Sequence, residues 1–361
     1  MSPADNRTQL DTVGGSAKVP FVYRFTVKTL LCALFALVSA PFLGLAAPPP
    51  ATLLNVSYDV TRGFYRDYNP LFAKDWQAKS GQEVTVTMSH DGSSVQARRV
   101  LDGLDADVVT MNQDTDIDIL AERGKLVAKD WRTKFPHGSV PYTSTILFMV
   151  RAGNPKGIKD WDDLIKPGVK VIIPNPKTSG NGRYSYLAAW GYALKKNGGN
   201  EAAAKEFVMK LFKNVAVLDK GGRAATTTFA QRGIGDVLLT FENEVYVIKN
   251  DPALGGDKLQ VVTPSLSIRA DPPMAIVEPN VDKHGTRALA DAYLRFLFTP
   301  AAQELAAKNF YRPVDPEVLA RHADVFKPIE QIDVQTAFGG WGRAQKVHFD
   351  DGGLFDQIYQ P

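Results

Sequence analysis

Cysteine is almost missing from this chain of 361 residues: Cys32 is the only one. The body of the chain therefore holds no disulfide framework, zinc–thiolate cluster or cysteine nucleophile. Histidine is scarce too, and His90, His137, His284, His322 and His348 never fall at metal-ligand spacing on a helix. No metal site is expected. Charge of one sign is also lacking, since 42 basic residues face 39 acidic ones. Of the net +3, a leading segment carries +2 (Arg7, Lys18, Arg24 and Lys28 against Asp5 and Asp11), which leaves +1 for the rest. Nucleic-acid binding needs many phosphate-neutralising cations, so no nucleic-acid partner is expected. There is no phosphate loop, no nucleophile elbow and no complete dinucleotide fingerprint, so no cofactor is expected either. Gly180-Asn181-Gly182 copies part of that last pattern without its third glycine.

Long apolar runs are missing after the first fifty residues. The one present, Thr29–Leu45, follows Lys18, Arg24 and Lys28 and ends in Ala46-Ala47-Pro48-Pro49-Pro50. A basic flank, a short apolar stretch and small residues at its end are the parts of a secretory signal. About 17 residues with a proline inside are marginal for spanning hydrocarbon ~30 Å thick. Residues 1–46 read as a signal peptide cleaved after Ala46, which puts the mature protein outside the cytoplasmic membrane.

The full chain is 44% hydrophobic and 22% charged, the balance of a folded protein with its own core. One pattern recurs: a β-rich run, a turn of Ser, Gly, Asp or Asn, then an amphipathic helix. Leu53–Tyr58, Val84–Met88 and Ala106–Thr110 open the first three units, with helices to about Lys79, to about Leu101 and around Asp116–Glu122. Tyr142–Val150 reads as a long buried strand. Val169–Ile173, Val215–Leu218 and Val237–Thr240 form a second set, followed by Leu259–Val262, Pro272–Val277 and a helix over Thr286–Phe298. Thr336–Ile358 reads as a helical tail broken at its glycine pairs. The alternation predicts the α/β class, parallel strands with crossover helices, in two lobes with a cleft between them. Residues 51–141 and 275–361 are assigned to one lobe and 142–274 to the other. Ligands of such sheets bind beyond the carboxyl ends of strands.

Four strand-to-helix turns are small and polar: Tyr58–Thr61, His90–Ser94, Thr178–Gly182 and Lys220–Ala224. The first amides of a helix have no intrahelical partner, and the dipole adds about half a positive charge there. An anion is held at such a place without any lysine. Each turn alone is also an ordinary helix cap. Four together, two from each half, predict a convergent anion site. The carboxylates Asp114, Asp116 and Asp118 read as a solvated face, and Ser93 near His90 lacks triad geometry.

At these same turns the chain resembles the periplasmic sulfate/thiosulfate-binding proteins of bacterial ABC importers. The likeness runs through LLNVSYDVTR (Leu53–Arg62), SHDGSS (Ser89–Ser94) and PNPKTSGNGRYSYLAAWGYAL (Pro174–Leu194). It continues through GGRAATTTFAQRGIGDVLLTFENEV (Gly221–Val245), AAKNFYRP (Ala306–Pro313) and FGGWGRAQKVHF (Phe338–Phe349). The resemblance implies a type II periplasmic-binding fold closing on a dehydrated sulfate or thiosulfate, without catalysis. It implies delivery of the anion, by a monomer, to an inner-membrane permease with a cytoplasmic ATPase. By position, Asp59 would give a backbone amide, Ser93 a hydroxyl, Ser179, Gly180 and Asn181 backbone amides, and Gly222 another. Where sulfate-type members carry a tryptophan indole, this chain has Phe241, so it is similar to the thiosulfate-type branch. Phosphate or molybdate binding, and a periplasmic ester hydrolase, are the alternatives. Phosphate keeps a proton near neutral pH and needs an acceptor, for which Asp59 is the one candidate, its other role being to cap its helix.

Overall fold

The computed structural model describes residues 48–359; the signal-peptide expectation for residues 1–46 lies outside them. No helix among the described residues is long and apolar enough to cross a membrane.

Two sheets organise the chain. The smaller has the order β10-β3-β1-β2, from β1 (Ala51–Tyr58), β2 (Val84–Asp91), β3 (Val108–Thr110) and β10 (Met274–Ile276). β1 runs parallel to both β2 and β3, and β10 closes the edge antiparallel to β3. The larger follows β12-β9-β4-β7-β5-β6, from β4 (Tyr142–Arg151), β5 (Val171–Pro174), β6 (Val215–Asp219), β7 (Val237–Phe241), β9 (Leu266–Ala270) and β12 (Glu330–Ile332). β8 (Leu259–Val262) and the two-residue β11 (Arg312–Pro313) also pair with β4. The architecture is the two-lobed α/β fold, with one lobe on each sheet. The parallel expectation needs a correction in the larger sheet. β4 is antiparallel to β7, β8 and β9; the chain enters this lobe along β4 and leaves it along the neighbouring β9, in opposite directions.

Helices pack on both faces. α1 (Arg62–Ser80), α2 (Ser93–Leu101) and α3 (Asp114–Glu122) cover the smaller sheet. α1 buries Phe64, Tyr65, Tyr68 and Phe72 on one face, the i, i+4 spacing of an amphipathic helix, and ends at Gly81 in the left-handed conformation. On the larger sheet lie α4 (Gly180–Lys196), α5 (Glu201–Lys213), α6 (Gly222–Thr226, extended by a π turn to Gln231) and α7 (Glu242–Asn250). α4 is the most deeply placed: nearly all its residues from Gly180 to Ala193 are buried, so its sequence shows little polar face.

The C-terminal tail departs from expectation. The sequence pattern assigns residues 275–361 to the first lobe, yet β12 pairs with β9, and Val334, Phe338, Trp341, Phe349 and Phe355 join the core of the larger sheet. The segment Arg287–Phe296 does pack on the smaller sheet's side, burying Leu289, Ala290, Tyr293 and Leu294 with Phe64, Tyr65 and Tyr68. The chain thus crosses back once more after Tyr311.

Candidate functional site

The four small polar turns lie at carboxyl ends of strands and at starts of helices. Tyr58 ends β1, and Asp59 opens a short 3-10 turn before α1. Gly92 precedes Ser93, the first residue of α2. Ser179 is the residue before α4, and Gly221 the one before α6.

The structure brings these turns together across the two lobes. A Cβ built on Gly92 would stand 3.0 Å from the carbonyl oxygen of Thr178. The Asp59 carboxylate, from the smaller lobe, accepts the backbone N–H of Arg223 at 3.2 Å and would be 3.0 Å from a Cβ on Gly221. Val60 would be 3.1 Å from a Cβ on Gly222. The sequence offers Asp59 two roles, to cap its own helix or to accept a ligand proton. Its bond to Arg223 makes it a cap on α6 of the opposite lobe. Burial raises its pKa, and the amide and charge of Arg223 oppose the rise.

Asp59, Ser93, Gly180, Asn181 and Gly222 therefore sit around one junction. Ser93 is buried, and its Oγ accepts the backbone N–H of Asn112 at 3.0 Å. With that lone pair engaged, the hydroxyl proton is directed to another acceptor. Gly180, Asn181 and Gly182 are the first three residues of α4, where amides have no intrahelical carbonyl. Gly182 is a glycine for packing: a Cβ there would come within 2.2 Å of the Pro174 carbonyl oxygen on β5. The Asn181 Nδ2 donates to Thr240 Oγ at 2.8 Å, tying the start of α4 to β7.

Ser179 differs from what the resemblance implied. Its amide donates to the Asn175 carbonyl at 2.9 Å within the turn, so it is the hydroxyl that Ser179 can offer. Phe241 is buried as the last residue of β7 and the one before α7. Its ring stands edge-on to Tyr184, 5.6 Å between centroids, in the core that also holds Val60 and Trp341.

Several polar groups around the junction were not singled out from the sequence. Asn112 follows β3 and is 3% exposed; its strand-end position was the only signal, in a turn without glycine. Asp116, taken for part of a solvated face, is buried, with its Oδ1 accepting from Ser94 at 2.9 Å and Gln113 at 3.2 Å. Burial raises its pKa against the opposing charge of Arg183 from the other lobe. Asp114 and Asp118 instead clamp Arg132 at 3.1 and 2.8 Å. Glu244 is buried below α6, accepting from Thr226 Oγ at 2.7 Å beside Arg223, with its pKa raised by burial. No group of three or more His, Cys, Asp or Glu residues that could hold a metal ion occurs among the described residues. The junction offers helix-start amides and hydroxyls, which suits a small anion rather than a cation.

The chain is similar to known proteins. Residues 60–312 match the model of the family described as bacterial extracellular solute-binding protein. The chain is 59% identical over 319 residues to a thiosulfate-binding protein of Pseudomonas aeruginosa, covering 88% of this chain and 95% of that one. It is 53% identical over 306 residues to a sulfate-binding protein of Salmonella typhimurium, covering 85% and 92%. Among solved structures, the sulfate-binding protein SubI from Mycobacterium tuberculosis superposes with a TM-score of 0.75 at 34% identity, covering 83% of this chain and all of that one. The chain belongs to the bacterial extracellular solute-binding proteins, in their sulfate- and thiosulfate-binding group.

Proposed function

We propose that this protein captures sulfate or thiosulfate in the periplasm, as a monomer, and delivers it to an inner-membrane permease driven by a cytoplasmic ATPase. It does no chemistry on the anion. The observation that carries this reading is the meeting of two helix N-termini, α4 and α6, with the Ser93 hydroxyl where the lobes touch. In our reading the amides of Asp59, Gly180, Asn181 and Gly222 and the hydroxyls of Ser93 and Ser179 surround the anion. Oriented amides stabilise a dehydrated dianion without a proton acceptor, which fits sulfate and thiosulfate, since neither carries a proton near neutral pH. Closing the lobes removes water and strengthens each of these bonds. Phe241 brings no N–H to this neighbourhood, and that favours the softer, more weakly accepting sulfur of thiosulfate.

Calorimetric titration of the chain from residue 47 with both anions, run beside an assay of sulfate- and phosphate-ester hydrolysis, tests the proposal. Tight one-to-one binding without turnover is the expected result. Turnover without tight anion binding would overturn it.

A further inference from the structure

Asn112 is the most conspicuous polar side chain at the junction that the proposed function leaves unused. It stands at the carboxyl end of β3, between the lobes, and is 3% exposed. Its backbone N–H is committed to Ser93 Oγ at 3.0 Å, which fixes the residue beside a proposed anion donor. Its side-chain Oδ1 is buried with no hydrogen-bond partner. The carboxamide lies flat on Gly180, the first residue of α4. A Cβ on that glycine would be 2.0 Å from Oδ1, 2.6 Å from Cγ and 2.7 Å from Nδ2. A buried amide oxygen without a partner costs free energy comparable to a lost hydrogen bond, so its persistence in a closed junction calls for a reason.

We propose that Asn112 is a further anion-contacting residue, whose neutral carboxamide, where a carboxylate could only accept, suits the site to an unprotonated dianion. The inference rests on the function proposed above. A carboxamide carries two N–H donors on one side and an acceptor on the other, and a half-turn about its last torsion exchanges them with almost no change of shape. Turned one way, Asn112 gives a sulfate or thiosulfate oxygen a neutral donor from the smaller lobe, opposite the amides of α4. Because the group is neutral in both orientations, it holds a dianion without repelling it, whereas a carboxylate of the same shape could only accept. Gly180 then serves two purposes: its amide begins α4, and its missing Cβ leaves the carboxamide room to seat as the lobes meet.

The test compares wild type, Asn112→Ala and Asn112→Asp by titration with thiosulfate, sulfate and phosphate at pH 7.5, with thermal melts of each chain without ligand. Loss of one donor to a charged acceptor predicts a fall of about ten- to a hundredfold for thiosulfate and sulfate in Asn112→Ala. In Asn112→Asp both should fall further, while phosphate gains at least about tenfold relative to sulfate, because an ionised carboxylate accepts from hydrogen phosphate and repels sulfate. The unliganded melts should stay close to wild type. Unchanged affinities in both variants would overturn the role of Asn112. An equal loss of all three anions in Asn112→Asp, with a lowered melting temperature, would overturn it too by showing a merely structural residue. A wild-type chain that binds none of the anions would instead refute the function on which the inference rests.

Discussion

The two sides of the junction are built differently. The smaller lobe sends side chains across: the carboxylate of Asp59, the isopropyl group of Val60 and the carboxamide of Asn112. The larger lobe meets each of them with glycine, at Gly221, Gly222 and Gly180 respectively. Only at Gly92, against the Thr178 carbonyl, is the arrangement reversed. The difference is instructive because the φ angles of these glycines do not demand glycine. They are glycines for close approach, which lets side chains of the opposite lobe seat directly on the helix starts. The larger lobe presents glycines at its helix starts, and the smaller lobe presents the side chains that fit against them.

The largest effects should separate glycines that serve a lobe from those that serve the junction. Gly182→Ala drives a Cβ to 2.2 Å from a β5 carbonyl within the larger lobe. It should lower the melting temperature with or without ligand, by the ~1–3 kcal/mol typical of overpacking or more. Gly180→Ala collides with Asn112 across the lobes instead. Its unliganded melt should match wild type, since alanine is a good helix former. Its anion affinity should fall by about one to two decades. If both variants behaved alike, the contrast between the lobes would collapse.

Next in size is Ser93→Ala. The hydroxyl accepts from Asn112, and in the proposed site its loss removes a donor to a charged oxygen at ~1.5–3 kcal/mol. Thiosulfate and sulfate titrations should weaken together, since the hydroxyl would serve an oxygen that both anions have. A smaller effect is expected at Phe241. An indole there adds an N–H, and Phe241→Trp should raise the sulfate-to-thiosulfate affinity ratio where the larger ring is accommodated against Tyr184. A melt run alongside separates a lost fit from an unchanged ratio, and an unchanged ratio in a well-folded variant removes the argument for thiosulfate.

Away from the junction, His284 offers the smallest and cleanest pH effect. Its Nδ1 lies 2.9 Å from Asp107 and its Nε2 3.0 Å from Asp105, and the bond to Asp107 is the main cause of its raised pKa. A histidine with a raised folded pKa gives stability that is fully present below its unfolded value near 6.5 and is lost as pH rises through the folded value. His348, held among Tyr186, Trp190 and Phe338, is pushed the other way, down to about 4 by burial. It removes stability as pH falls from 6.5 toward 4. Thermal melts from pH 6.5 to 8.5 should therefore show a shallow decline in wild type that flattens in His284→Gln.

The turns were legible in the sequence because glycine, serine and threonine after a β-rich run have few other uses than a tight helix start. The fold class was legible for the same reason, through the alternation of runs and turns. Other features needed three dimensions. Nothing in Met111-Asn112-Gln113 announces a buried carboxamide that packs on the opposite lobe. The amide of Ser179 is used up by a carbonyl four residues earlier, a local bond that the pattern of hydroxyls and glycines hides. Strand β9 begins right after Pro264 and Ser265 and is only five residues long, so it passes for a loop. The tail's aromatic residues announce packing but not against which sheet, and β12, three residues long, settles it.

Selenate, an isostere of sulfate with an anomalous scatterer, locates the anion directly. Crystals of the chain from residue 47 grown with selenate should show one anomalous peak between the first amides of α4 and α6. Its oxygens should lie about 2.7–3.1 Å from the amides of Gly180, Asn181 and Gly222 and from Ser93 Oγ. A peak elsewhere on the molecule, with that junction free of selenium, would contradict the proposed site.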